Sequence, residues 1–232
     1  MHPTDKAARV AGAVYLSLVV TGPFTLIYVP NKLIVPGNAT ATASNILAHE
    51  MLFRVAIVAD LIGSVIFICL AVALYRLLSG VNKTLASLMV AFVLVSAAVA
   101  FVNVLNNIAA LMLFRGADFL GVLDKPQRDA LAMLFVRLHG QGNGINEMFW
   151  GFWLLPLVWL VYKSRFLPRF LGVWLAFGGI AYVILCVTSI LSPQYQGRLF
   201  SLFQPAFFGE LAFLLWLLIK GAKVRPLAAV AS

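Results

Sequence analysis

This 232-residue sequence has few charged side chains, which make up only 11% of it. Hydrophobic residues account for 62% of the chain. A chain of this kind does not have enough polar groups to cover a folded surface in water. The scarcity of charge therefore excludes an ordinary water-soluble globular domain and indicates a protein that folds in lipid.

The sequence is also poor in cysteine and lacks the common motifs of catalytic sites. Its two cysteines, Cys69 and Cys186, lie in apolar stretches, where isolated thiols pack as small apolar side chains rather than forming a disulfide framework. No phosphate-binding loop, dinucleotide-binding glycine motif, nucleophile elbow or C-x-x-C pair is present. These absences leave nucleotide, redox and serine-hydrolase functions unsupported, and we predict no cofactor.

Zinc donors are present, but their spacing does not form a recognised zinc motif. His49, His139, Glu50 and Glu147 carry atoms that zinc accepts as ligands. However, Phe53 stands where a motif that begins with His49-Glu50 requires its second histidine. We therefore predict no bound metal ion.

Long apolar runs dominate the chain instead. A helix needs about 20 apolar residues to cross a bilayer, and six stretches are of the right order of length. They predict transmembrane helices near Val10–Val29, His49–Leu78, Leu85–Phe114, Asn143–Tyr162, Phe170–Leu191 and Pro205–Ile219. Little chain remains for a soluble domain. We therefore predict an all-α, polytopic membrane protein in which residues 1–232 form a single domain, a bundle of six transmembrane helices.

Three of the connections carry turn or helix signals. Pro36-Gly37-Asn38 predicts a turn, followed by a helix from Thr40 to Ala48 that runs into the second span. In the longest outer connection, Arg128 to Leu138 predicts a short amphipathic helix. The glycine-rich run Gly140–Gly144 is predicted to separate this helix from the fourth span. Ser192–Gln204 predicts a second outer loop bounded by prolines.

Basic residues are divided unequally between the two sides of the predicted bundle. They accumulate in short loops on the cytoplasmic side of membrane proteins, and the loops Ser79–Thr84 and Lys163–Arg169 show the clearest bias. We therefore predict a multi-pass protein of the inner (plasma) membrane with both termini in the cytoplasm. The inner basic residues are Lys6, Arg9, Arg76, Lys83, Lys163, Arg165, Arg169, Lys220, Lys223 and Arg225.

The net charge of +9 also bears on the choice of partner. Basic proteins often bind nucleic acid, but here the charge is scattered over short loops beside lipid. Attraction to anionic lipids explains this distribution better. We predict that the partners are membrane lipids or a small hydrophobic ligand, with no nucleic acid, and that a second membrane protein or another copy of the chain is an open alternative.

Polar side chains recur inside the predicted spans. Glu50, Arg54 and Asp60 share one face of the second span, since a helix turns about 100° per residue, and Glu50 and Arg54 have the spacing of an ion pair. Asp60 lies roughly 9 Å beyond Arg54 along the helix, near mid-membrane, where an unpaired carboxylate is costly. Asn103 and Asn107 share a face of the third span. Such amides hydrogen-bond across helices, either at a site or merely as helix contacts.

The fourth and sixth spans add further polar groups. His139 and Glu147 lie at the entry to the fourth span, and Glu210 lies about two turns inside the sixth. Each residue taken alone could be structural, but four carboxylates on the outer side of three spans predict one outward-facing polar cavity. Its predicted ligand-binding residues are Glu50, Arg54, Asp60, Asn103, Asn107, His139, Glu147 and Glu210.

Three functions remain open for such a cavity. The leading hypothesis is binding of a lipid-like or small hydrophobic molecule. Because neighbouring carboxylates in a dry site can act as acid and base, the alternative is a membrane-embedded isomerase, cyclase or lipid hydrolase. Its candidate catalytic residues are Glu50, Asp60, Glu147 and Glu210. A second alternative is a structural partner subunit of a membrane complex, whereas transport is disfavoured because the chain has no related halves.

Several short segments form a joint pattern along essentially the whole chain. They are Arg9–Gly12 with Tyr15-Leu16, Ala41–Arg54, Leu74–Leu78, Phe166–Gly172, Gly209–Leu211 and Trp216–Leu218. This pattern resembles an uncharacterised family of bacterial six-span membrane proteins, a domain of unknown function. The chain departs from it at Asn38, where the family usually has an acid, and at Ala91–Val93, where a basic residue is common. The resemblance implies six helices in a bacterial inner membrane and no assigned activity.

Overall fold

The computed structural model describes residues 3–222, and no β-strand occurs among them. Its helices are α1 (Pro3–Pro23), α2 (Val29–Leu33), α3 (Ala39–Ala48), α4 (Glu50–Leu78), α5 (Lys83–Arg115), α6 (Lys125–Lys163), α7 (Arg169–Leu191) and α8 (Gln196–Leu215). Helices predominate because a chain in lipid must satisfy its backbone hydrogen bonds internally. Lys223 and Arg225, which the orientation argument uses, lie outside the described residues.

Six helical stretches within residues 3–222 are long and apolar enough to cross a membrane. The stretches are Thr4–Leu33, Glu50–Leu78, Lys83–Arg115, Lys125–Lys163, Arg169–Leu191 and Pro193–Lys220. Each overlaps one of the six predicted spans. The prediction of an all-α, polytopic membrane protein with six transmembrane helices is therefore confirmed.

Proline modifies the first span without ending it. α1 reaches Pro23, and the chain continues through a π-helical turn at Phe24–Tyr28 directly into α2. Proline lacks the N–H that an α-helix uses to bond the carbonyl four residues earlier. After Pro23 the backbone stays hydrogen-bonded through the π-helical turn, in which the Val29 N–H donates to the Phe24 carbonyl. The span consequently ends at Leu33, beyond its predicted end at Val29.

The connection after the first span contains the predicted turn and helix. Asn38 precedes α3, and its side-chain oxygen accepts a hydrogen bond of 2.9 Å from the backbone N–H of Ala41. This is the usual N-cap interaction. α3 then ends at Ala48, and α4 begins at Glu50. The expectation that this helix runs into the second span was wrong, because the backbone of His49 leaves the helical conformation.

The fourth span differs from its prediction. The segment Arg128 to Leu138 is helical, but α6 continues through Gly140–Gly144 without the predicted break and reaches Lys163. Glycine weakens a helix by about 1 kcal/mol relative to alanine, which is too little to end a helix held by other contacts. Gly142 faces Asn103 so closely that no Cβ would fit between them. The glycine run therefore permits close packing rather than ending the helix.

The predicted outer loop Ser192–Gln204 is also helical over most of its length. A single 3₁₀ turn at Pro193–Tyr195 leads into α8, which passes through Pro205 and ends at Leu215. Membrane helices tolerate proline because neighbouring groups can pair with the freed backbone atoms. In addition, the indole N–H of Trp174 on α7 donates a 3.0 Å hydrogen bond to the carbonyl of Pro205 itself, a contact between α7 and α8 at this point. The proline thus falls inside the sixth span, where the sequence had placed it at the boundary.

The chain divides into two compact units. The first contains the described residues up to Leu16, Phe67–Val95 and the described residues from Glu147 onward. Its interior holds large side chains with almost no exposed surface, among them Leu70, Leu74, Met89, Trp153, Leu157 and Phe213. In this unit α7 packs along α8.

The second unit contains Ser17–Ile66 and Ser96–Asn146. Its buried core is formed mainly by aliphatic and aromatic side chains, including Leu33, Ile46, Phe53, Val104, Phe114 and Val136. The prediction that residues 1–232 form one domain stays a prediction.

Candidate functional site

Glu210 of the first unit lies at a meeting point of three helices. The Tyr15 hydroxyl on α1 donates a hydrogen bond to Glu210 Oε2 on α8. The Tyr182 hydroxyl on α7 is also hydrogen-bonded to the Glu210 carboxyl. A buried carboxylate needs such donors, because removal from water without them is strongly unfavourable. With Glu147, these three residues are called the tyrosine–glutamate cluster below.

Aromatic rings surround the tyrosine–glutamate cluster within the first unit. Tyr15 makes edge contacts with Trp153 and Phe213, at centroid separations of 6.2 and 6.4 Å. Tyr182 lies 5.8 Å from the Trp150 ring and 4.7 Å from another ring, that of Phe207. These separations are in the favourable range for ring pairs. The tyrosines that contact Glu210 are therefore packed among aromatic rings.

Close contact between α6 and α7 brings Glu147 toward Tyr182. A Cβ on Gly151 would lie 2.7 Å from the carbonyl oxygen of Gly179, so only glycine permits this approach of the two backbones. Small residues serve this purpose in membrane helix pairs. Glu147, about one turn before Gly151, is then near enough to interact electrostatically with Tyr182 and Cys186.

One carboxyl oxygen of Glu147 makes no hydrogen bond within this arrangement. Its Oε2 atom is buried and has no hydrogen-bond partner among the described residues. A buried acceptor without a partner lowers stability by about 1–3 kcal/mol. Hydrogen-bond donors within the described residues therefore leave this acceptor of Glu147 unused.

The second unit holds a different polar group around His139 of α6. The His139 Nδ1 atom lies 3.2 Å from the carbonyl oxygen of Asn103, and Nε2 lies 3.5 Å from Asp60 Oδ2 and 3.4 Å from Asn143 Nδ2. The side chains of His139 and Asp60 are 15% and 17% exposed. These four residues are called the histidine–aspartate cluster below.

The geometry of His139 defines what this cluster can do chemically. A carbonyl oxygen can only accept, so the hydrogen of the neutral ring is on Nδ1. Nε2 then accepts from Asn143, or it carries a second proton and donates to Asp60. These contacts place one ring nitrogen of His139 against a backbone carbonyl and the other against the Asp60 carboxyl and the Asn143 amide.

Amide side chains join α5 to α6 around the histidine–aspartate cluster. Asn103 Nδ2 donates to the His139 carbonyl at 2.9 Å and to Asn143 Oδ1 at 3.0 Å, while its own Oδ1 accepts from Asn106 at 3.0 Å. Thr25 is hydrogen-bonded to the Asp60 carboxyl. Every one of these contacts lies within the second unit. The predicted role of such amides in binding helices together accounts for these bonds.

Glu50 forms an ion-pair group with two arginines, also in the second unit. Arg54 Nε lies 2.7 Å from Glu50 Oε1, which confirms the predicted ion pair, and Arg115 Nη1 lies 3.6 Å from the same oxygen. Side-chain exposure is 44% for Arg54 and 57% for Arg115. Ion pairs with this much exposure contribute little stability when water surrounds them. The group is arranged to neutralise Glu50 rather than to leave it free for a ligand.

The predicted ligand-binding residues are distributed over both units. Glu147 and Glu210 lie in the first unit, where Tyr182 interacts with both. The other six residues lie in the second unit. They are Glu50, Arg54, Asp60, Asn103, Asn107 and His139. Asn107 is buried there with 7% exposure. That all eight line one cavity stays a prediction. No group of three or more potential metal ligands occurs within the part of the chain that the structure describes.

Sequence reasoning missed several partners of the charged residues. Tyr15 and Tyr182 bond to Glu210, Arg115 joins Glu50, and Thr25 bonds to Asp60. One signal was available, because a tyrosine inside an apolar span must find a partner for its hydroxyl. It did not indicate which carboxylate that partner would be.

Comparison with known proteins places the chain among membrane proteins of unassigned activity. The family model described as "Domain of unknown function (DUF4386)" matches residues 10–221, which confirms the resemblance found from the sequence. An uncharacterised protein of Archaeoglobus fulgidus is 31% identical over 157 residues, which are 68% of this chain and 78% of that protein. No solved structure matches the chain.

Proposed function

The chain belongs to the DUF4386 family, and for this member we propose binding of a lipid-like or small hydrophobic molecule. The polar end of that molecule, a hydroxyl or an amine, donates a hydrogen bond to Glu147. Its apolar part lies against the aromatic rings around the tyrosine–glutamate cluster. The protein acts in this proposal as an integral membrane binding protein whose polar site faces the outside of the cell.

The observation that carries the proposal is the difference between the two glutamates of the first unit. Glu210 accepts hydrogen bonds from the hydroxyls of Tyr15 and Tyr182. Glu147, beside the same Tyr182, has a buried oxygen with no partner in the described part of the chain. A ligand hydroxyl would supply the missing donor. An anionic ligand is disfavoured because two acidic side chains occupy the cluster.

Surrounding groups support a ligand that is otherwise apolar. Trp150 and Phe207, which are partly exposed, contribute rings next to Tyr182. Binding sites for small molecules commonly combine such apolar walls with a few polar groups that fix orientation. A long-chain alcohol has this division into one donor and one apolar chain.

The binding of 1-hexadecanol to the purified protein tests this proposal, with hexadecane as the probe that lacks a hydroxyl. Glu147→Leu removes the acceptor, and we expect it to weaken hexadecanol binding about tenfold, the equivalent of one hydrogen bond to a charged group. Glu147→Gln retains a carbonyl acceptor and should bind more tightly than the leucine variant. Native mass spectrometry of the delipidated protein measures the binding of hexadecanol and of hexadecane to each variant.

Asp118→Asn is the matched control, since Asp118 is an exposed carboxylate in the 3₁₀ turn Asp118–Leu120. It should bind hexadecanol as the unsubstituted protein does. Equal binding of hexadecanol and hexadecane, or equal hexadecanol binding by all variants, would contradict the proposal.

We also propose an inner-membrane location with both termini in the cytoplasm. In support, Thr4, Asn82 and Lys163 border one cleft of the first unit, so the start of α1 and two basic loops lie at one end of that unit. A shared basic end is expected of a cytoplasmic side. In intact cells, a membrane-impermeant maleimide should label Gly197→Cys and should label Gly80→Cys only after permeabilisation. The reverse pattern would overturn the orientation.

A further inference from the structure

We propose that the basic end of the first unit contains a second site, which binds an anionic phospholipid. The phosphate lies in a polar cleft beside Lys163, and one acyl chain lies in an adjoining apolar groove. This site shares no residue with the tyrosine–glutamate cluster, so it goes beyond the function proposed above. The shape, charge and continuity of two neighbouring concave surfaces support this site.

The polar cleft, called the headgroup cleft below, has a volume of about 680 Å³. The loop after α4, the C-terminal end of α6 and the beginning of α1 form its walls. Asn82, Ser164 and Thr4 contribute polar side chains, and Lys163 contributes the charge. No carboxylate lines the cleft, and the acid nearest to Thr4 in sequence, Asp5, is paired with Arg9 at 3.3 Å.

Lys163 is available to an anion in this cleft. Its ammonium nitrogen lies 4.9 Å from the centroid of the Trp159 ring, which holds the side chain by a cation–π contact. Among residues 3–222, no carboxylate lies within ion-pair distance of Lys163. An ammonium group has three donors, so hydrogen bonds to a phosphate remain open to it. The charge of the cleft thus complements an anionic headgroup.

The apolar groove, called the acyl groove below, has a volume of about 390 Å³ and runs between α5 and α6. Leu85, Leu88 and Phe92 form one wall, and Phe152, Leu155 and Pro156 form the other. The first wall extends over about two helical turns, roughly 10 Å, and the second over about one turn, roughly 6 Å. Proline inside a helix disturbs regular packing, and Pro156 lies at the groove surface. The groove therefore offers an apolar surface long enough for part of an acyl chain.

Trp159 borders both surfaces and joins them into one amphipathic site. Tryptophan is enriched at the level of the lipid headgroups, and Lys163 lies one turn beyond it along α6. The order from groove to tryptophan to lysine matches the order from acyl chain to glycerol to phosphate in a phospholipid. Other basic residues of the same end, such as Lys83 and Arg165, lie in the loops Ser79–Thr84 and Lys163–Arg169. Anionic lipids are concentrated in the cytoplasmic leaflet, where the proposed orientation places this end.

Titration of the purified protein with phosphatidylglycerol and phosphatidylcholine of identical chains tests the headgroup cleft. We expect phosphatidylglycerol to bind about tenfold more tightly, and Lys163→Gln to remove most of that preference, since a charge-assisted hydrogen bond is lost. Arg198→Gln removes one positive charge from α8, outside both surfaces, and should retain the preference. The proposal fails if the two lipids bind equally, or if Arg198→Gln has the same effect as Lys163→Gln.

A second pair of variants tests the acyl groove. Leu88→Trp fills the groove and should weaken binding of long-chain phosphatidylglycerol several-fold while leaving a dihexanoyl analogue less affected. Leu94→Trp, also on α5 and exposed but outside the groove, should bind both as the unsubstituted protein does. Size-exclusion chromatography and thermal unfolding identify variants that fail to fold. Equal weakening by both tryptophans, in folded protein, would contradict the acyl groove.

Soluble glycerol 3-phosphate distinguishes a lipid from a free phosphate ester. We expect no displacement of phosphatidylglycerol at concentrations that saturate a lipid competitor. Displacement at comparable concentrations would show that the cleft binds a soluble phosphate, which would overturn the lipid assignment. None of these outcomes depends on Glu147, so failure here is distinguishable from failure of the hexadecanol experiment.

Discussion

The two glutamates of the first unit differ in what surrounds their oxygens. Glu210 is held by two tyrosine hydroxyls, whereas Glu147 retains a buried oxygen without a partner among the described residues. The hydrogen bonds of Glu210 are expected of a residue that joins helices. The unpaired oxygen of Glu147 is expected of a residue that accepts a hydrogen bond from a ligand. This difference supports a structural role for Glu210 and is the basis on which the ligand contact is proposed at Glu147.

Tyr15→Phe tests the structural role of Glu210. The variant keeps the buried ring but removes one donor, and we expect the free energy of unfolding to fall by about 1–2 kcal/mol. Tyr195→Phe, at an exposed position of the 3₁₀ turn Pro193–Tyr195, should change it little. Unfolding in mixed micelles of increasing dodecyl sulfate content measures both. A Tyr15→Phe protein as stable as the Tyr195→Phe protein would refute this role.

At the same scale, contacts between residues close together in the chain could be predicted from the sequence, whereas contacts between residues far apart in the chain could not. The ion pair between Glu50 and Arg54 was predicted because helix geometry brings residues four apart together. Tyr15 and Glu210 are separated by 195 residues, and no local rule connects them. Such partners follow from how the helices pack, which a single sequence does not specify.

At the scale of elements, the six spans could be predicted from apolar length, but some of their ends could not. The glycines after His139 and the prolines around Ser192–Gln204 are loop signals in water. In lipid an unpaired backbone group is far more unfavourable, so α6 and α8 continue through these segments. The physical environment therefore overrides the local turn preference at these positions.

Two glycine variants of α6 test the account of its continuity. Gly142→Ala introduces a Cβ that overlaps the Asn103 side chain, and we expect a loss of about 1–3 kcal/mol in stability from overpacking. Gly140→Ala meets no atom within 4 Å and should be neutral or stabilise the helix by up to about 1 kcal/mol. Thermal unfolding in detergent compares them. Equal stability of the two variants would show that Gly142 is not needed for the packing of α6 on α5.

At the scale of the whole molecule, the polar groups fall into separate sets with different tasks. The histidine–aspartate cluster and the Glu50 ion pairs belong to the second unit, and the tyrosine–glutamate cluster belongs to the first. The first unit also carries the headgroup cleft and the acyl groove. The two proposals therefore place both ligands on the first unit, a neutral or cationic molecule at Glu147 and an anionic lipid at Lys163.

Photo-crosslinking with a diazirine derivative of 1-hexadecanol tests the central claim most directly. The diazirine should be placed near the hydroxyl and the labelled peptides identified by mass spectrometry. We expect labelling of the segments around Glu147 and Tyr182, competition by unlabelled hexadecanol, and loss of labelling in Glu147→Leu. Labelling confined to exposed side chains remote in sequence from both segments, such as Val102 and Leu202, unaffected by the competitor and by the substitution, would contradict a specific site at Glu147.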